Sequence, residues 1–425
     1  MENKNYKSRL IDRKIKKYLH TFGAVCIEGP KWCGKTWTSS YHSKSSIYLG
    51  DAAGDFQNRK LAELSPALVL QGEKPRLIDE WQEVPPLWDA VRFQVDQSAE
   101  KGAYILTGSA TPNHKGILHS GAGRIARLRM STMSSYESKD STGDVSLSSL
   151  FDGTFQAKMT GEVDLKNIIH LILRGGWPAS IGLPIEYAKL LPKEYMEAIL
   201  QDDIYRIDGV KRNISKMRLL LRSLARNEST TVSNKTLKKD VKEMDDEDID
   251  ADTISSYLDI LSRLFLIENQ KPFASQIRSS MRLKQAEKRH FCDPSIACAL
   301  LNLTPERLLQ DLETLGFMFE ALCERDLRIY GECIDASLYY YQDYSGKEID
   351  AVLELSDGRW AAIEIKLGAN QIDAAADNLL TIKHQMEKDP KATPPVVLCV
   401  LCGLSNAAYQ RPDGVYVIPI TALKD

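Results

Sequence analysis

The stretch EGPKWCGKTWT, residues 28–38, follows the apolar run AVCI and precedes a segment of helical character. Gly29, Pro30, Lys31, Trp32, Cys33, Gly34, Lys35 and Thr36 satisfy the spacing G-x-x-x-x-G-K-[ST]. That spacing carries chemistry when a strand precedes it and a helix follows. Its glycines let backbone N–H groups face phosphate oxygens, its lysine neutralises the β and γ oxygens, and its final hydroxyl suits Mg²⁺. The expectation is therefore a loop that binds ATP or GTP, with Lys35 on the phosphates and Thr36 on the metal.

Outward from the loop, RLIDEW (76–81) and AYILTGSA (103–110) read as strands, with PLWDAVRFQVDQ between them as a helix. Upstream, Leu10, Ile11, Ile15 and Leu19 recur at helical spacing among lysines and arginines. Alternating strands and helices predict a parallel α/β sheet. Asp79 and Glu80 end the second strand, where Asp79 is placed to hold Mg²⁺ through its waters and Glu80 to polarise an attacking water. Thr107 ends the next strand, as a γ-phosphate sensor or as a simple strand-end cap. Arg124, Arg127 and Arg129 compete between surface ion pairing and supplying a transition-state arginine in cis or to a neighbouring subunit.

EGPKWCGKT, LIDEWQEVP, ILTGSA, AGRIARLRM and SYE, in that order, resemble the bacterial and archaeal AAA-family ATPases whose phosphate-loop domain is followed by a C-terminal domain of unknown function. RGGWP (174–178), HFCDPSIACALL (290–301) and SGKEIDAVLE (345–354) extend the likeness over nearly the whole chain. Trp32 and Cys33 depart from the polar and small aliphatic residues of the pattern, and an acidic run at 243–252 enlarges the middle of the chain. The resemblance implies an ATPase that uses Mg²⁺, with Arg124 among the nucleotide-site candidates.

At 425 residues the chain suits two to four domains. A net charge of −3 excludes the overall basic excess of a simple nucleic-acid binder, so DNA contact has to come from local patches. The candidates are Lys211, Arg212, Lys216, Arg218, Arg222 and Arg226 before the acidic run, and Arg278, Arg282, Lys284, Lys288 and Arg289 after it. The charged N-terminus lacks the apolar core of a signal peptide, and VVLCVLCGL is too short to span a bilayer, which together suggest a cytoplasmic protein with no membrane partner. Eight cysteines in mostly apolar settings read as structural thiols, including the Cys399-x-x-Cys402 pair. Residues 138–160, rich in Ser, Asp and Gly, read as a linker or an irregular insertion. Two helical stretches around a polar segment, the second with Asp252 as its start signal, outline a winged helix-turn-helix.

AAIEIKLG (361–368) sets Glu364 and Lys366 on one face of an apolar strand, because side chains alternate along a strand. The preceding strand, IDAVLEL, is joined to it through Ser356-Asp357-Gly358. A two-residue turn sends Asp350 to the opposite face. A three-residue loop with Gly358 left-handed pairs Leu355 with Arg359 and Asp350 with Glu364. Hydrophobic patterning selects the second register, gathering Ile349, Ala351, Leu353, Leu355, Ala361, Ile363 and Ile365 on one side. Asp350 and Glu364 then repel unless a cation intervenes, either Lys366 or a divalent metal, Mg²⁺ or Mn²⁺. With Glu320 on an upstream helix, the set Glu320, Asp350, Glu364 and Lys366 resembles the PD-(D/E)xK nuclease superfamily, which implies metal ligation by Glu320, Asp350 and Glu364 and catalysis by Glu364 and Lys366. Ile349 replaces that family's proline.

The combined expectation is an α/β protein of four parts. A P-loop AAA-type parallel-sheet domain spans 1–145, a linker and helical lid 146–209, a winged helix-turn-helix 210–275, and a restriction-nuclease-like domain with a mixed sheet 276–425. Two functions compete: ATP-dependent DNA binding with metal-dependent cleavage, and a non-cleaving ATP-driven switch whose downstream modules bind a protein or nucleic-acid partner. Self-association is compatible with both.

Overall fold

The computed structural model describes residues 6–111, 117–244, 249–276, 285–343 and 346–425. Strands β1 (Ala24–Glu28), β2 (Ser45–Tyr48), β3 (Arg76–Asp79), β4 (Tyr104–Gly108) and β5 (Ile125–Arg129) form an all-parallel sheet in the order β2-β3-β4-β1-β5. Its central strands β1 and β4 are buried along their whole length, as expected of a sheet covered on both faces. Helix α1 (Ile11–Thr21) precedes β1, α2 (Lys35–Tyr41) follows it, and α3 (Pro86–Ser98) links β3 to β4. The parallel α/β unit predicted from alternation is present.

The middle of the chain is helical: α4 (Leu165–Arg174), α5 (Leu190–Ala198) continued by a π-helical turn at Ile199–Asp203, α6 (Ile214–Arg226), α7 (Asn234–Met244) and α8 (Ala251–Arg263). Helix α7 occupies the polar segment between the two expected helices. The cap of α8 is Asp250, whose carboxylate accepts the Thr253 N–H at 2.6 Å, two residues before the expected Asp252. Antiparallel bridges Ile267↔Phe291 and Gln270↔Lys288 follow the three helices, and Thr230↔Arg289 ties the same returning segment to the connection between α6 and α7.

Helix α9 (Leu312–Cys333) leads into a mixed sheet built on β9 (Ala336–Gln342), β10 (Glu348–Leu355), β11 (Trp360–Lys366), β12 (Val397–Cys402), β13 (Ala407–Gln410) and β14 (Tyr416–Pro419), with α10 (Ile372–Glu387) between β11 and β12. The sheet is completed by β7 (Lys158–Met159) at one edge and β8 (Lys271–Pro272) at the other. Beside it, β15 (Leu423–Lys424) runs parallel to β6 (Val145–Ser146). The stretch expected to be a linker is thus stitched to the C-terminal domain, because its backbone groups find partners there: Thr160 N–H donates to the Asn406 carbonyl at 2.8 Å and Thr142 N–H to that of Thr421 at 2.8 Å. One apolar core runs from Val145 through the middle helices to Leu423, so the expected boundaries at 210 and 276 do not divide separate cores, whereas the N-terminal sheet keeps cores of its own, whose buried residues end at Met130.

The β10–β11 register runs Ala351↔Ile363 to Glu354↔Trp360, and the Leu355 N–H donates to the Arg359 carbonyl at 2.8 Å. Gly358 has a φ of +88°, the left-handed conformation that the three-residue loop requires. Ile349 differs from expectation. The pairing of β10 with β9 shifts by one residue between Ile349 and Val352, and this bulge turns Ile349 onto the Val352–Trp360–Ala362 face, under α10.

Candidate functional site

Two glycines shape the turn after β1. A Cβ on Gly29 would lie 2.0 Å from the Met130 carbonyl oxygen, and Gly34 has a φ of +103°. Trp32 also sits left-handed, at +65°, a conformation that costs a non-glycine residue about 1–2 kcal/mol. The loop borders a cleft of about 880 Å³ lined by Lys31, Trp32, Lys35, Thr36, Trp37 and Glu80, together with Tyr6 and, from the lid, Pro178 and Leu191.

Lys35 is 5% exposed, and its Nζ donates to the carbonyls of Gly29 at 2.9 Å and Pro30 at 2.8 Å. Among the described residues no carboxylate forms an ion pair with it. A buried ammonium whose hydrogen bonds go to carbonyls, with Asp79 acting on it only through space, suits an anion. The Asp79 carboxylate is shared by the hydroxyls of Thr107, at 2.8 Å, and Thr36, while burial pushes its pKa above the ordinary range against both. Thr107 also accepts the Glu80 N–H at 2.9 Å. It therefore clamps the ends of β3 and β4 and does not line the cleft. The Glu80 carboxylate accepts from the Ser109 hydroxyl at 2.9 Å and from Gln82. These groups fit a magnesium-bound triphosphate: a cation donor, a hydroxyl beside a desolvated carboxylate, and a second carboxylate at the lip. Cys33 is buried against Met130, with its thiol 3.6 Å from that carbonyl, so the unusual residue packs inward without obstructing the cleft.

Two loop side chains reach the helical segment expected as a lid. Lys31 Nζ lies 2.5 Å from Asp203, and the Trp32 ring meets Tyr195 with centroids 5.5 Å apart. Asp203 ends the π-helical turn, whose extra residue per turn re-aims side chains.

Arg124 is not brought to the loop. Its carbonyl accepts the N–H of Ala24 at the start of β1, the opposite end from Gly29, and its guanidinium pairs with Asp96 at 2.7 Å. Arg127 pairs with Glu28, and Arg129 lies over Phe265 near Glu268. All three are accounted for within the chain.

Sequence reasoning missed Asp293. Fully buried, its carboxylate accepts from Thr132 at 2.8 Å, from the Gly176 N–H at 2.9 Å, from Ser295 and from Arg325 at 3.1 Å. It joins the N-terminal unit, the RGGWP turn and α9. The signal lay in two motifs already noticed, RGGWP and HFCDPS, but nothing local says that they touch.

Of the basic residues expected to dock DNA, Arg212 pairs with Asp208 at 2.6 Å, Arg218 with Glu197 at 2.5 Å and Arg226 with Asp240 at 2.9 Å. Arg289 bonds Asn234, and Lys288 is buried. Arg278, Arg282 and Lys284 lie outside the described residues, as does 245–248 of the acidic run. The exposed face of α8, the helix that the winged-helix expectation would set against DNA, offers Asp252, Ser255, Ser256, Asp259 and Ser262. Such a face repels phosphate. Lys211, just before α6, is exposed, and three further exposed lysines, Lys235, Lys239 and Lys242, lie on the unforeseen α7.

In the C-terminal sheet, Lys366 Nζ lies 2.9 Å from Asp350 and 2.7 Å from Glu364, so these three side chains converge. Asp350 also accepts the Ile365 N–H at 2.8 Å, and Glu364 accepts from Asn378 at 2.8 Å. Burial and then Asp350 push Glu364 up to about 7, opposed by Lys366. Burial also acts to raise Asp350, but Lys366 and Lys288 outweigh it and hold its pKa low. Glu320 is bonded by Lys288 and is pushed up to about 8 by burial. Among the described residues no group of three acidic, His or Cys side chains is arranged to hold a metal ion. Where the metal was expected, Lys366 stands between Asp350 and Glu364, and Lys288 stands against Glu320.

Residues 21–139 match the family model described as an AAA domain. The N-terminal unit is a P-loop domain of the AAA type. Behind this AAA-type domain, residues 165–307 match a domain of unknown function (DUF8612) and residues 315–423 a second one (DUF4143). The uncharacterized proteins Mb2031c of Mycobacterium bovis and Rv2008c of Mycobacterium tuberculosis are each 25% identical to this chain over 357 residues, covering 83% of it and 72% of each relative. The Walker-type ATPase PABY2304 of Pyrococcus abyssi is similar at a TM-score of 0.42 and 12% identity, over 68% of this chain and 94% of that one. No described helix is long and apolar enough to cross a membrane.

Proposed function

We propose that the protein is an ATP-binding and ATP-hydrolysing switch, in which occupancy of the phosphate loop is passed through the lid to the helical middle and the C-terminal domain. The observation that carries this reading is the buried Lys35, an ammonium bonded only to two loop carbonyls and in contact ion pairing with no described carboxylate, facing a cleft that also holds Thr36 and Glu80. Lys35 would exchange its two loop carbonyls for phosphate oxygens. Thr36 and Asp79 would hold Mg²⁺, which neutralises charge building on the phosphates. Glu80 would orient and deprotonate the attacking water, with Thr107 positioning Asp79 and Glu80 relative to each other. The Lys31–Asp203 and Trp32–Tyr195 contacts supply the route from loop to lid. Cleavage is not part of the proposal. Calorimetry with magnesium-ATP tests it: wild type should bind one nucleotide per chain, and absent heat with well-folded protein would refute the assignment.

A second reading, DNA binding, is favoured by one observation, the exposed lysines of α7. If Lys235, Lys239 and Lys242 each neutralise a phosphate, replacing all three by alanine should flatten the log–log salt dependence of duplex binding by about 2.7. A wild-type slope near zero would leave the protein-partner form of the switch.

A further inference from the structure

Lys288 belongs to the strand that returns alongside 267–270 after α8, yet its side chain ends in the C-terminal domain. Only 6% exposed, its Nζ bonds the Glu320 carboxylate, lies 3.7 Å from Glu324, and reaches the Asp350 carbonyl oxygen at 3.4 Å. That carbonyl is free to accept because the bulge in β10 removes it from the β9 ladder at this position, and Gln270 donates to it as well, at 3.2 Å. Lys366 bridges Asp350 and Glu364 from the other side. Four carboxylates, from α9, β10 and β11, are thus held by two ammonium groups.

We infer that Lys288 is a built-in cation plug, filling the position between Glu320 and Asp350 that a divalent metal would need. A hard dication requires several oxygens at about 2.0–2.6 Å. Any ion within that distance of Glu320 and the Asp350 backbone would press against the Lys288 ammonium. The lysine satisfies the same oxygens with one charge and no coordination sphere. Because the plug arrives on a strand of the middle region, the C-terminal carboxylates stay closed to metal for as long as that strand is docked. This inference does not rest on the nucleotide reading.

The experiment is Mn²⁺ titration of the full chain without nucleotide, followed by calorimetry and electron paramagnetic resonance, in an Asp79→Asn background that removes the carboxylate that would hold a metal at the phosphate loop. With Lys288 intact, no uptake sensitive to Asp350→Asn is expected. Lys288→Ala and Lys288→Gln should each gain one Mn²⁺ per chain, lost again on adding Asp350→Asn, and Lys288→Arg should remain metal-free. Variants that fold by circular dichroism yet take up no Mn²⁺ would overturn the inference. Should neither neutral variant fold, the comparison with Lys288 intact still decides: uptake of one Mn²⁺ that Asp350→Asn removes overturns the plug, and equal absence of uptake supports it.

Discussion

Lys31, inside the phosphate loop, and Asp203, at the end of the π-helical turn of the lid, are joined at 2.5 Å across 172 residues of sequence. Lys31 is 39% exposed, so solvent screens the pair and its worth to stability is at most about 1 kcal/mol. Its consequence is for coupling. Asp203→Asn should leave ATP affinity within about threefold, roughly 0.65 kcal/mol, while abolishing the ATP-induced change in Trp32 fluorescence, with Trp32→Phe identifying the signal. An unchanged fluorescence response would mean that the lid does not sense the loop through this contact.

Lys35→Ala should reduce ATP hydrolysis by two orders of magnitude or more, on the order of what losing one preorganised charge-stabilising donor costs. The far-ultraviolet circular dichroism should stay at wild-type values, since the lysine bonds only carbonyls of its own loop. Steady-state phosphate release measures the effect, and wild-type turnover in the variant would remove Lys35 from the mechanism.

Thr107→Val takes a donor from Asp79 and an acceptor from the Glu80 N–H in one step. Leaving such buried groups unsatisfied costs about 1–3 kcal/mol, visible in urea unfolding. The turnover number should fall more than the KM rises, because Thr107 positions Asp79 and Glu80 without lining the cleft. Thr107→Ser keeps the hydroxyl and should restore most of both.

His290 lies buried between Glu228, at 3.0 Å, and Glu324, at 2.6 Å. Burial opposes its charge, but Glu324 and Glu228 outweigh burial and raise its pKa to about 9. A histidine raised above its ordinary value of about 6.5 contributes stability that is full below that pH and is lost as pH rises through about 9. The melting temperature at constant ionic strength should therefore fall between pH 6.5 and 9, and His290→Gln should flatten that fall. Equal slopes in the two proteins would show that His290 is not charged in the fold.

The local reading of the chain reached far where chemistry depends on neighbours in sequence. The phosphate loop needs eight consecutive residues, with glycines at the two positions where the backbone crowds Met130 or turns left-handed. The β10–β11 register follows from a loop of three residues and the alternation of apolar side chains, and it carried Asp350, Glu364 and Lys366 to one place. The helix α7 was missed because its apolar stripe is only Leu237 and Val241 among lysines. Arg124 looked available because a strand-end arginine near the loop motif cannot be told from one at the strand's other end without the pairing of β5 to β1.

The sequence by itself determined the parallel sheet, its phosphate loop and the hairpin that gathers the distal carboxylates, since each is specified by short-range spacing and the period of a strand. Only the tertiary structure decided which charges meet. Lys288 comes to Glu320 across 32 residues and to the Asp350 carbonyl across 62, Asp203 comes to Lys31 across 172, and the C-terminal strand comes back to Val145. Burial makes such meetings obligatory, because an ammonium or carboxylate removed from water must find a partner. Which partner it finds depends on how the layers pack, and no local pattern records that.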